Sequence, residues 1–268
     1  MFLFTAEEFK DRVHFADQDQ IVHFVLKNAT FVESGALAAE FAARHNLTPE
    51  EGFFNPSRRE GLKLSFLECC DQIERPIDWY AQAISSAMGV WGTYKGAREL
   101  KQMGMIDRLP HLLCVQQETC APMVRAFEDD SPCIRPQHIV EKPHGIASAI
   151  LRGNPSKAYP YIRGIVLESN GTFTSVSEKE IRDARTMTEQ LEGIPACFTS
   201  SVAVAGLAKL VQAGRVSRHS TVVINITGSD RDRRKGAKRV HWLYKTEQGW
   251  QPDPSDTEAV RRWRMLPD

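Results

Sequence analysis

Missing from this 268-residue chain are a Cys-X-X-Cys pair, a His-X-His or His-X-X-X-His pair, a glycine-rich phosphate loop and an excess of either charge. Without paired cysteines or histidines there is no spacing for a zinc or other metal site, and none is expected. Lysine and arginine total 34 and aspartate and glutamate total 34, so net charge gives no pull toward nucleic acid or an anionic membrane. The basic run Arg231–Arg239 has no interleaved aromatic platform and reads as a solvated loop. No apolar run reaches the roughly 18 residues a membrane-spanning helix needs, and the N-terminus lacks the charged and apolar regions of a secretory signal. The six cysteines, with Cys69 and Cys70 adjacent, read as reduced thiols of a cytoplasmic protein.

What is present is an alternation of short β-rich runs and amphipathic runs. Ile21–Asn28 reads as a strand, and the stretch from Phe31 that places Val32, Leu37, Ala38, Phe41 and Ala42 on one side reads as a helix. A second helix through Cys69 and Cys70 precedes a buried strand, Ile77–Ile84, and a helix through Lys95 follows it. His111–Gln116 is a strand, and the next helix ends before Pro132 and Pro136. The apolar spacing predicts a helix over His144–Asn154, and Asn170-Gly171 between two β-branched runs predicts a hairpin. Ser177 with Glu180 forms a capping-box pattern, a further helix ends near Gly214, and Ser220–Gly228 is a strand running into a polar turn. Strands alternating with helices imply an α/β fold, a mostly parallel sheet with helices on both faces. Ligands of such sheets gather at the carboxyl ends of strands, which singles out the junctions AISSAMG and INITGSD.

Six colinear stretches, among them FFNPSRREGLKLSFLE, IDWYAQAISSAMGVWGTYKGAREL, GIPACFTSSVAVAGLAKL and TVVINITGSDR, resemble the C-terminal two-thirds of the threonine synthase and cysteate synthase group of fold-type II pyridoxal-phosphate enzymes. The resemblance implies the large lobe and part of the small lobe of that fold. It divides the chain into 1–50, a remnant of the small lobe with an N-terminal arm, 51–240, a cofactor-binding α/β lobe, and 241–268, a tail whose stretch HWLYKTEQGWQPD carries two tryptophans and serves as a hairpin or interface arm.

The same resemblance implies roles. Ser85, Ser86, Ala87, Met88 and Gly89 would cradle the cofactor phosphate, because N–H groups at a helix start attract a dianion. Thr227 would meet the pyridine nitrogen with a neutral hydroxyl, a setting that favours elimination and replacement over transamination. Gly228 would let the ring approach the backbone, and Ala147 would lie at the ring's edge. Arg58 would bind a distal anion of the substrate, with Asn55 and Arg59 as lesser candidates and Ser200 as a further contact.

The family's Schiff-base lysine lies upstream of every matched stretch, followed by a Ser-Gly-Asn-Thr-type loop that grips the substrate carboxylate. Lys10, in Glu8-Phe9-Lys10-Asp11-Arg12, mimics the lysine motif, but Glu8 stands where a small hydroxyl residue belongs. Residues 13–20 are too few for a β-α unit before the next strand. Lys10 therefore reads as a surface lysine, and no catalytic residue is expected on this chain. The expectation is a split enzyme: this chain would share pyridoxal phosphate with a separate lysine-bearing chain in a hetero-oligomer acting on an amino acid. The alternative is a non-catalytic protein that binds pyridoxal phosphate or an anion. A self-sufficient enzyme using Lys10 is the third reading.

Overall fold

The computed structural model describes residues 1–13, 20–50, 52–229 and 239–265. The chain forms two compact units: Met1–Glu50 with Arg231–Asp268, and Glu51–Asp230. Most of the basic run Arg231–Arg239 and most of the 13–20 connection lie outside the described residues.

In the first unit, strands β1 (Phe2–Ala6) and β2 (Val22–Leu26) pair in parallel, with Phe2 opposite Val22. Helix α1 (Phe31–Arg44) begins at Thr30, whose hydroxyl accepts the Glu33 N–H at 3.2 Å while the Glu33 carboxylate accepts the Thr30 N–H at 2.9 Å. Leu37 and Phe41, one helical turn apart, bury against Phe24, Leu26, Leu243 and Trp263. The segment after residue 240, expected as a hairpin or an arm, forms a hairpin in this unit. Its strand His241–Thr246 pairs in parallel with β2, turns back antiparallel through Gly249–Pro252, and ends in the helix Thr257–Arg264. Trp263 and Trp250 are the reason: Trp263 buries in this core and Trp250 packs against it.

The second unit contains α2 (Pro56–Gln72), β3 (Trp79–Ala83), α3 (Met88–Gln102), β4 (His111–Gln117), α4 (Pro122–Glu128), α5 (Tyr159–Glu168), β5 (Thr172–Val176), α6 (Glu178–Glu192), α7 (Phe198–Gln212) and β6 (Val222–Ile224). The strands form one parallel sheet in the order β5-β4-β3-β6. Alternate residues face opposite ways, as a pleated strand requires. Tyr80, Leu112, Cys114 and Phe173 enter a core with α2 to α5, whereas Trp79, Ala81, Ala83, Leu113 and Val115 enter a second core with α6 and α7. Helices on both faces of a parallel sheet are what the alternation of runs implies, and they leave the strand ends as the place where polar groups collect.

Two expected elements differ. Residues 144–154 form only a 3₁₀ turn at Ser148–Ile150, because Gly145 has φ 145° and Ala147 N–H is drawn to the Gln117 side chain at 2.9 Å. The expected strand at Tyr161–Ser169 is helix α5, opened by Pro160 and buried through Tyr159, Ile162, Ile165 and Val166. Asn170-Gly171 then ends a helix and makes no hairpin: Asn170 has φ 49°, and a Cβ on Gly171 would stand 2.3 Å from the Leu112 carbonyl oxygen of β4.

Candidate functional site

The carboxyl ends of the central strands carry polar side chains that the strand interiors do not. Gln82 on β3, Gln116 and Gln117 on β4 and Asn225 after β6 stand out within apolar runs, and Tyr80 lies nearer the start of β3. Asn225 donates to the Tyr80 hydroxyl at 2.6 Å and to Gln82 Oε1 at 3.4 Å, which ties the ends of β3 and β6 together. Burial pushes the Tyr80 phenol above its ordinary pKa, so it stays protonated. Gln116 Oε1 accepts the N–H groups of Met123 (2.9 Å) and Val124 (3.3 Å), capping α4 from the neighbouring strand, while its Nε2 is buried without a protein partner. Gln117 holds the Gly145–Ala147 loop: it accepts from Ala147 N–H and donates to Thr119 at 2.7 Å, and Thr119 donates to the His144 carbonyl at 2.5 Å.

Ser85, Ser86 and Ala87 make the turn from β3 into α3. The helix has no side-chain cap, so the N–H groups of its first turn are left for an external acceptor. Ala87 sits in the left-handed region at φ 59°, a conformation costing a non-glycine residue roughly 1 kcal/mol. Ser85 and Ser86 are half-buried beside this helix start, and Met88 and Gly89 form its first turn. The nearby glycines do different work from a phosphate loop. A Cβ on Gly89 would lie 2.3 Å from Gln82 Nε2, and one on Gly92 would lie 2.6 Å from Leu62 Cβ. Gly89 makes room for a glutamine, and Gly92 lets α3 press onto α2.

Thr227, Gly228 and Ser200 come together. The fully buried Ser200 hydroxyl accepts the Gly228 N–H at 2.9 Å, lies 2.9 Å from the Gly228 carbonyl oxygen and 3.3 Å from Thr227 Oγ1. Cys197 N–H adds a bond to the Gly228 carbonyl at 3.1 Å, and Cys197 Sγ lies 3.5 Å from the Ser200 hydroxyl. The start of α7 thereby fixes the turn after β6 and leaves the Thr227 side chain at the surface.

Ala147 is fully buried with Ala83 and Val115 at the ends of β3 and β4. Asn55 and Arg58 lie elsewhere, at the start of α2. Asn55 caps that helix by accepting from Ser57 N–H (2.9 Å) and Arg58 N–H (3.3 Å), which gives its side-chain oxygen a structural task. Arg58 is exposed in the first turn. Lys10 belongs to the first unit, in a 3₁₀ turn over Glu7–Arg12, where its ammonium donates to both carboxylate oxygens of Asp11 at 3.0 Å.

The sequence reading missed the strand-end glutamines. Their signal was available: a glutamine at the close of two otherwise apolar strands, in WYAQA and HLLCVQQ. Buried histidines serve as clamps. His138 accepts the Arg135 N–H at 3.0 Å and faces Asp129 at 2.9 Å, and His241 faces Asp256 at 2.7 Å. Among the described residues no cluster of His, Cys, Asp or Glu could hold a metal, and all six cysteines are free. Burial drives the Cys114 thiol far above its ordinary pKa, while Cys133 is exposed. No helix among the described residues is long and apolar enough to cross a membrane.

These features fit pyridoxal phosphate in part. The uncapped helix start suits its phosphate and the tethered threonine suits its ring nitrogen, while Lys10, the residue that mimics the lysine motif, pairs with Asp11. The fold is that of the solved fold-type II enzymes. Serine racemase from Dictyostelium discoideum superposes with a TM-score of 0.59 over 78% of this chain and 62% of its own, at 19% identity. The processed threonine deaminase isoform 2 of Solanum lycopersicum gives 0.62 over 79% of this chain and 63% of its own, at 14% identity. Sequence relatives are nearer. Threonine synthase of Methanosarcina acetivorans is 38% identical over 175 residues, 65% of this chain and 42% of that protein. Cysteate synthase of the same organism is 30% identical over 199 residues, 72% of this chain and 48% of that protein. The chain spans about half the length of the curated relatives it matches. A family model described as pyridoxal-phosphate dependent enzyme matches residues 9–228, most of both the chain and its strand-end site, and the chain belongs to that family.

Proposed function

We propose that this chain is the cofactor-binding part of a split threonine-synthase-like enzyme that carries out elimination or replacement at the β or γ carbon of an activated, in one form phosphorylated, amino acid. The observation that carries the reading is the pairing of an uncapped helix start at the end of β3 with the Ser200-tethered Thr227 beyond the neighbouring strand β6. The first-turn N–H groups of α3, with the Ser85 and Ser86 hydroxyls, would hold a phosphate dianion, since such N–H groups carry partial positive charge and aim outward. When bound, pyridoxal phosphate supplies an electron sink for bonds at the amino acid's α-carbon. Thr227 would offer the ring nitrogen a neutral hydroxyl and no charge, and Ser200 would keep that hydroxyl in place. Arg58 would take a distal anion of the substrate, and Ala147 would line the ring's edge without a polar contact. The lysine would come from a second polypeptide, because Lys10 pairs with Asp11 and Glu8 precedes Phe9 where a small hydroxyl residue belongs.

The uncapped helix start by itself supports a second reading, a non-catalytic protein binding pyridoxal phosphate or another anion. Equilibrium dialysis tests what the two share. The chain is expected to bind pyridoxal phosphate saturably, and Ser86→Asp, which brings a carboxylate to the cradle, is expected to weaken it at least ten-fold. Thr227→Val separates the two readings: it should alter the bound cofactor's absorption if the ring sits against Thr227 and leave it unchanged if only the phosphate is held. Binding indifferent to Ser86→Asp would remove the cradle from the account.

A further inference from the structure

A cavity of about 480 Å³ opens between α2 and α3, on the helical face of the second unit and away from the Thr227–Ser200 group. Its lining follows from helical spacing. Trp91, Tyr94 and Arg98 share one face of α3 at intervals of three and four residues, and Arg59 projects from α2 across them. The walls are aromatic. Trp91 is held edge-on by Phe53 at 5.9 Å and Tyr161 at 6.1 Å, which fixes its indole at the edge of the opening.

The charges of the cavity are divided unequally. Its carboxylates, Glu60 and Glu99, are taken by lysines: Lys63 lies 2.8 Å from Glu60 and 2.7 Å from Glu99, and Lys95 lies 2.9 Å from Glu60 and also pairs with Glu99. Among the described residues no ion pair holds Arg59 or Arg98. Arg59 rests its guanidinium 5.6 Å above the Trp91 ring and donates only a long bond, 3.4 Å, to the Phe54 carbonyl. Arg98 is exposed beside Tyr94, whose hydroxyl is engaged by Glu168 at 2.7 Å. Two forked cations with planar donor sets therefore flank an aromatic wall in a space of mononucleotide size.

We propose that this cavity is a second binding site, for a nucleoside phosphate whose base lies against Trp91 and whose phosphate is gripped by Arg98 and Arg59. Guanidinium groups bind phosphate oxygens in pairs, and an indole face stacks on any planar base. The site is independent of the cofactor reading. It shares only the helix α3, whose first turn forms the phosphate cradle, so an occupant would act on the helix that holds the other site.

Calorimetric titration of the full chain with adenosine 5′-monophosphate tests it. One-to-one saturable binding is expected, weakened about five-fold or more by Arg98→Ala and by Arg59→Ala and unchanged by Lys101→Ala. Adenosine and inorganic phosphate should each bind far more weakly than the nucleotide. Arg98 is exposed, so its removal leaves the fold intact and a loss of affinity is interpretable. Absence of saturable binding, indifference to both arginine variants, or adenosine binding as tightly as the nucleotide would each overturn the proposal. Ser86→Asp provides the last arm: affinity retained there supports the α2–α3 cavity, and affinity lost places the nucleotide in the phosphate cradle and overturns it.

Discussion

The Ser200 hydroxyl serves both backbone groups of Gly228 and stands against Thr227; its removal strands the Gly228 N–H, while the carbonyl keeps the Cys197 N–H. Ser200→Ala is expected to lower unfolding free energy by about 1–3 kcal/mol in urea denaturation, the usual cost of unpaired buried groups. A change below a few tenths would mean the turn does not depend on Ser200. At Ala87 the sign reverses. Glycine relieves the left-handed strain and should leave stability unchanged or raise it by up to about 1 kcal/mol, whereas a β-branched residue there should destabilise the unit. That Ser85–Gly89, Thr227 and Gly228 lie at strand ends was legible because apolar runs stop there, whereas Ser200 was named from the resemblance alone. Gln82, Gln116 and Gln117 were not singled out, since their partners, the Asn225 side chain and the N–H groups of Met123, Val124 and Ala147, come within reach only in the folded unit. Arg58 and Asn55 were named from the resemblance, and the structure gives Asn55 a capping task that its position before Pro56 already implied.

At the scale of elements, glycine placement decides which runs become what. Gly92 and Gly96 lie one turn apart on α3 and face Leu62 and Lys63 of α2. Gly92→Ala would put a Cβ within 2.6 Å of Leu62 Cβ. Thermal unfolding should show a loss of about 1–3 kcal/mol, as overpacking does, and an unchanged midpoint would mean the helices separate freely. Most strands and helices were readable from period alone, including the Ser177–Glu180 capping box: Glu180 N–H reaches the Ser177 hydroxyl at 3.3 Å and Ser177 N–H reaches the Glu180 carboxylate at 2.7 Å. Helix α5 was misread because Ile162, Ile165 and Val166 are β-branched, while the burial of its one face decides the outcome. The 144–154 stretch was misread for the opposite reason. Its apolar spacing suits a helix, but Gly145 and the bond from Ala147 to Gln117 hold the chain extended at its start.

At the scale of the whole molecule, the two units rest on different chemistry. The second unit has two apolar cores on one sheet, and the first has one, beside which His23 and His241 are buried. His23 is 3% exposed and its Nε2 lies 2.8 Å from the Thr5 hydroxyl. Desolvation, with His241 nearby, brings its pKa down to about 4. The folded state therefore takes up its proton later than the unfolded chain does, so His23 contributes its stabilisation above about pH 6.5 and loses it as pH falls toward 4. The first unit is expected to lose on the order of 2–3 kcal/mol across that window, and His23→Gln should flatten the dependence. Equal slopes in the two proteins would remove His23 as the cause. The return of the chain after residue 240 to complete the first sheet was hidden from the sequence, because it depends on β2 offering an edge more than 200 residues upstream. The central claim is that this chain holds pyridoxal phosphate without supplying the lysine. It is tested most directly by incubating the purified chain with the cofactor, reducing with borohydride and mapping the peptides by mass. The account predicts bound cofactor that dialyses away and no pyridoxyl group on Lys10 or any other lysine in stoichiometric yield. A stoichiometric pyridoxyl-Lys10 would contradict it, and the chain would then stand as an enzyme in its own right.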